Sequence, residues 1–177
     1  MYVLPSEASE AEFRELLSYW QSKLEPGRLP GRQHIDPTEL QPRHLSQLLL
    51  LDVVDATPKS RRRYRFRVAG TGFSAIAGRD VTGLHYDEIG APERALPVIR
   101  ALDLVVERKA PVYLSGRLSI PSQDYVWVKR LGLPLAQDGD KVDMILCVWL
   151  AERRSIAGLA RGDLAREAGI PQVLERG

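Results

Sequence analysis

The chain has 177 residues, enough for one domain with a hydrophobic core of its own. Hydrophobic residues make up 44% and charged residues 27%, the balance of a globular chain and not of a disordered one. A formal net charge of +2 argues neither for nor against a polyanionic partner, and the single cysteine, Cys147, excludes an intrachain disulfide.

The segment from Met1 to Glu10 is acidic and has neither the basic start nor the apolar stretch of a secretory leader. Apolar runs fall far short of the roughly 20 residues that cross a bilayer. Together these features predict a cytoplasmic protein without a membrane partner.

A helix is predicted from Ser9 to Leu24, because Phe13, Leu16, Leu17, Trp20 and Leu24 recur at three- and four-residue spacing. Ser9 and Glu12 have the spacing of a capping box, and Pro26-Gly27 ends the element. An irregular stretch with Pro30, Pro37 and Pro42 follows. A helical turn can start at Asp36-Pro37, and a short helix is predicted from Pro42 to Leu48.

Five strands are predicted: Leu48–Val54, Tyr64–Ala69, Val112–Ile120, Tyr125–Pro134 and Val142–Leu150. Turn residues separate them at Pro58-Lys59-Ser60, Pro121-Ser122-Gln123-Asp124 and Gln137-Asp138-Gly139-Asp140. The last two connections are short, so strands three to five should form an antiparallel meander. Between strands two and three lie a short helix, Thr71–Ala77, closed by Gly78, and a longer one, Glu93–Lys109. The stretch after Glu152 is expected to be a helical tail. The expected organisation is an N-terminal helix (1–28), a central domain (29–152) and the tail (153–177).

This order specifies an α+β fold, a five-stranded antiparallel sheet with a helical insert that leaves room for a pocket. Gly70 and Gly72 flank Thr71 where a strand turns into a helix, and Thr71 is a natural cap there. Asp80-Val81-Thr82-Gly83 has turn chemistry.

The element order and several motifs resemble the PAS fold, and within it a family of bacterial stand-alone PAS-like proteins. The first block is Trp20, then Leu29-Pro30-Gly31-Arg32 and Ile35-Asp36-Pro37. The second is Tyr64-Arg65-Phe66-Arg67-Val68-Ala69-Gly70-Thr71 followed by Gly78-Arg79-Asp80-Val81-Thr82-Gly83. The resemblance runs from about Phe13 to Glu152. It implies a sensory or protein-interaction role in bacterial signalling, with a small-molecule ligand, a signalling protein or a second copy of the chain as partner. Haem- and flavin-binding PAS domains usually carry a dedicated His or Cys motif. Neither pattern occurs here, so no cofactor is assigned.

Six residues stand out as candidate ligand contacts. Arg67 lies between apolar neighbours and suits a carboxylate or phosphate. Phe73, Trp127 and Met144 are large side chains in elements expected to bound the pocket. His85 and Tyr86 fall in the loop expected to roof it. No nucleophile elbow, phosphate loop or metal-ligand spacing is present, so a non-catalytic role is expected. Two other readings stay open at this point. One is an adaptor whose own side chains fill the core; the other is a nucleic-acid adaptor that uses the basic run Lys59, Arg61, Arg62, Arg63, Arg65 and Arg67.

Overall fold

The computed structural model describes residues 1–55, 57, 61–89, 92–118, 125–154 and 169–177. It has four helices, α1 (Ala11–Ser22), α2 (Pro42–Leu45), α3 (Thr71–Ala77) and α4 (Pro92–Arg108), among the described residues. The strands are β1 (Leu48–Val54), β2 (Arg63–Ala69), β3 (Val112–Leu118), β4 (Tyr125–Leu135), β5 (Met144–Arg154) and β6 (Gln172–Val173). They make one antiparallel sheet in the order β2-β1-β5-β4-β3-β6. The meander of β3, β4 and β5 is present as predicted. The sheet has six strands instead of the five expected, because Gln172 and Val173 pair with Tyr113 and Val112. Of the predicted helical tail, 153–154 end β5 and 169–177 hold β6 and no helix, while 155–168, like the turns at 58–60 and 121–124, lies outside the described residues.

Both faces of the sheet are covered, and β1 shows why. Its run of four leucines alternates between two cores: Leu49 and Leu51 face α4, while Leu48 and Leu50 face α1. The face toward α4 is called the inner face below, and the face toward α1 the outer face. On the outer face α1 buries Phe13, Leu16, Leu17 and Trp20 against Tyr113, Leu131, Leu133 and Val148. Phe13 meets Tyr113 edge-on at 5.8 Å, and the Trp20 indole N–H donates to the Pro134 carbonyl at 2.9 Å. α1 is two residues shorter than predicted at each end. Glu10 holds the cap position without a side-chain bond, so the Ser9–Glu12 capping box does not form.

The helical insert builds the inner face. Gly70 caps α3, so Thr71 is its first residue and not its cap. Glycine is required at 70 because a Cβ there would sit 2.4 Å from the Ser46 carbonyl oxygen. Gly78, with φ +71°, ends α3 in the left-handed conformation. Asp80 closes the next turn by accepting from the Thr82 amide at 2.9 Å. The chain then pairs with β2, Phe66 N–H donating to Leu84 O at 2.9 Å. A 3-10 turn at Tyr86–Glu88 leads toward α4. A β-bulge in β2 shifts the register, so Val68 pairs opposite Leu50 on the outer face instead of sharing a face with Tyr64 and Phe66.

Candidate functional site

An apolar cavity of about 30 Å³ lies between the inner sheet face and α4. Leu51, Leu114 and Cys147 wall it from the sheet, and Val98, Leu102 and Val105 from the helix. Gly132 makes the helix approach tight: a Cβ there would come within 3.1 Å of Val105 Cγ2. One end is closed by aromatic rings. Tyr86 stacks on Phe66 (5.3 Å), Phe66 contacts Phe73 (5.4 Å), and Phe73 meets Trp149 edge-on (5.4 Å).

The six candidate residues are not all brought together. Tyr86 lines the cavity, and Phe73 backs its aromatic end. Trp127 lies on the other side of the sheet, since its neighbour Val128 belongs to the inner core. Met144 packs against the outer core around α1. Arg67 pairs with Asp52 at 3.0 Å, and Asp52 also takes Arg65 at 2.8 Å. His85 bridges to Arg65 through the backbone, and its amide donates to Glu88 Oε2 at 2.8 Å.

Two cavity residues outside the six candidates carry polarity. Arg130 lines the cavity, opposite Leu114 on one side and Trp149 on the other. Among the described residues it makes no ion pair or hydrogen bond, and its Nε is sealed from water. Trp149 is 5% exposed, and its indole nitrogen is also buried without an acceptor. The third candidate for chemistry is quiet: burial pushes the Cys147 thiol up to about 12, against a smaller opposing pull from Arg130. A thiol held protonated in this way is no nucleophile.

The cavity roof is clamped at one end. The Tyr64 hydroxyl donates to Asp103 Oδ1 at 2.5 Å, and Arg62 lies 3.4 Å from the same oxygen. Burial and the Asp103 carboxylate together hold the Tyr64 hydroxyl protonated far above its usual range. Lys109, just past α4, pairs with Asp140. The second half of α4 is thereby tied to β2 and to the β4–β5 turn. Pro97, inside α4, cannot donate to the carbonyl four residues back, so the ladder is interrupted in the first half.

Lys59 lies outside the described residues, and the described members of the basic run are neutralised in place. Arg61 and Arg63 pair with Asp87, Arg63 also with Glu88, Arg62 with Asp103, and Arg65 and Arg67 with Asp52. Arginines already answered by carboxylates are poor phosphate grips, which weighs against the nucleic-acid reading. Among the described residues no three His, Cys, Asp or Glu side chains converge as metal ligands. No helix among them is long and apolar enough to cross a membrane.

The fold places the chain among α+β domains with a covered antiparallel sheet. A family model described as PAS domain matches residues 8–150, and the chain belongs to that family. No curated protein matches the chain at the level that marks a relative. PAS domains are characteristically sensory and regulatory modules.

Proposed function

We propose that this PAS domain is a non-catalytic sensor of bacterial cytoplasmic signalling. A small molecule would bind between the inner sheet face and α4, and the displaced helix would present a changed surface to a signalling protein or to a second copy of the chain. The observation that carries this reading is the cavity under a helix anchored in its second half and interrupted at Pro97 in its first. A space of about 30 Å³ takes one or two waters. Any larger occupant must lift α4, so binding and movement of the roof are one event. The ligand shifts the balance of roof positions only by its differential affinity for them.

One observation favours a second reading, an adaptor that binds partners with no ligand. The cavity is small and both faces of the sheet are closely covered, so most of the interior is already filled by the chain's own side chains.

Native mass spectrometry beside the denatured mass separates the two readings. A small mass lost on denaturation is the expected result, and the same spectrum reports monomer or dimer. A bare native mass, together with no small molecule in a metabolite screen raising the melting temperature, would overturn the sensor reading in favour of the adaptor.

A further inference from the structure

We infer that the cavity is built for a small organic monocarboxylate, its head held by Arg130 and Trp149 and its apolar body lying under α4. This rests on the sensor reading and goes one step beyond it, to the chemistry of the ligand.

Arg130 and Trp149 are cross-strand partners on the inner face, and both line the cavity. Each has a nitrogen donor that is buried and unpaired. A buried donor without an acceptor costs stability, and more so when its group is charged. Two such donors, side by side in a wall that is otherwise Leu, Val, Ala, Cys, Gly132 and Tyr86, ask for one acceptor that serves both. Among the described residues no carboxylate lines this cavity.

The chemistry of the pair narrows the acceptor. A guanidinium presents a planar fork that matches two carboxylate oxygens, and the indole N–H adds a third donor. A single cation offsets a single negative charge. A phosphate ester, with up to two, would bring an unanswered charge into an apolar site. The remaining wall, including Leu51, Val98, Leu102 and Val105, suits an aliphatic body.

The test titrates straight-chain monocarboxylates, acetate through hexanoate, and the matching primary alcohols. The readouts are the Arg130 Nε–H and Trp149 Nε1–H NMR resonances and the melting temperature. The expected result is a carboxylate that moves both resonances and binds at least tenfold more tightly than its alcohol. Arg130→Met should then lose at least tenfold in carboxylate affinity and leave the alcohol unchanged. Arg130→Lys, which keeps charge without the fork, should fall between. Trp149→Phe should weaken carboxylate binding several-fold.

Alcohols binding as tightly as carboxylates, or carboxylate binding that survives Arg130→Met, would overturn this ligand chemistry while leaving the sensor reading intact. Binding by neither series overturns it too, and if the native mass is also bare the sensor reading falls with it.

Discussion

The two faces of the sheet are built from similar residues yet finished differently. On the outer face the buried Trp20 gives its N–H to the Pro134 carbonyl, and Lys129 reaches Glu10 and the Glu7 carbonyl. On the inner face Trp149 keeps its N–H unpaired, and Arg130, the next residue after Lys129, has no partner among the described residues. The outer face answers its indole and its lysine, although Glu10 Oε2 is buried there without a hydrogen bond. The inner face leaves two donors unanswered beside a cavity, and polar groups kept at a cost in that setting point to a role other than stability.

The largest expected effect is on the outer face. Trp20→Ala should destabilise the protein by about 3–5 kcal/mol, because a fully buried indole leaves a cavity that the sheet cannot close. Denaturant melts read this directly. The phenylalanine pair sharpens the comparison. Trp20→Phe strands the Pro134 carbonyl and should cost about 1–3 kcal/mol, whereas Trp149→Phe breaks no hydrogen bond and should cost less. Equal costs at the two sites would mean that the indole N–H groups are not what distinguishes the faces.

Neighbours on β4 give the next contrast, with opposite signs. Lys129→Met loses the contact with Glu10 and should destabilise by about 1 kcal/mol. Arg130→Met removes an unanswered donor from an apolar wall and should stabilise by about 1 kcal/mol. If Arg130→Met also destabilised, Arg130 would be a structural residue and the argument from its unpaired nitrogen would fail. A gain in stability at a cost in ligand binding is the trade expected of a functional site.

Much of the fold was legible in the sequence, and the reason is periodicity. The stripe of Phe13, Leu16, Leu17 and Trp20, the leucine run of β1 and the glycine-marked ends of α3 are local patterns, and each appears where those patterns place it. The sixth strand was not legible: two residues, Gln172 and Val173, are too few to carry a pattern, and only β3 makes them a strand. The candidate site was less readable because both sheet faces are apolar, so alternation says which residues share a face but not which face meets the helices. Phe73 and Tyr86 are placed at the cavity; Trp127 and Met144 are on the far side. One signal was present. Gly132, inside a strand, marks a close approach by another element, and its parity puts Val128 and Arg130 on that face and Trp127 on the other. The bulge at Arg67 hid the parity of β2 in the same way, since nothing local announces it.

The smallest expected effect concerns acid, and it asks which face opens first. Asp87 sits in the 3-10 turn beside the α4 roof, and hydrogen bonds from Arg63, at 2.8–3.2 Å, hold its carboxyl below its ordinary value of 3.8, against an opposing push from burial. A carboxyl whose folded pKa is depressed adds stability at pH above its ordinary value and loses it as pH falls through the folded value. Asp87→Asn should therefore cost stability at neutral pH, and the gap from wild type should close as pH drops below about 4. A gap that stays constant with pH would mean that the Arg63–Asp87 pair does not contribute through its charge. The spatial consequence is separate. Because the pair ties β2 to the segment that leads into α4, acid should loosen the inner face before the outer one. The test is whether the Trp149 indole resonance then broadens at a higher pH than that of Trp20, whose helix is held by carboxylate pairs of its own, Lys23–Glu39 and Lys129–Glu10. Simultaneous broadening would mean that the two faces unfold as one unit, and that the difference in their finish has no counterpart in how firmly each is held.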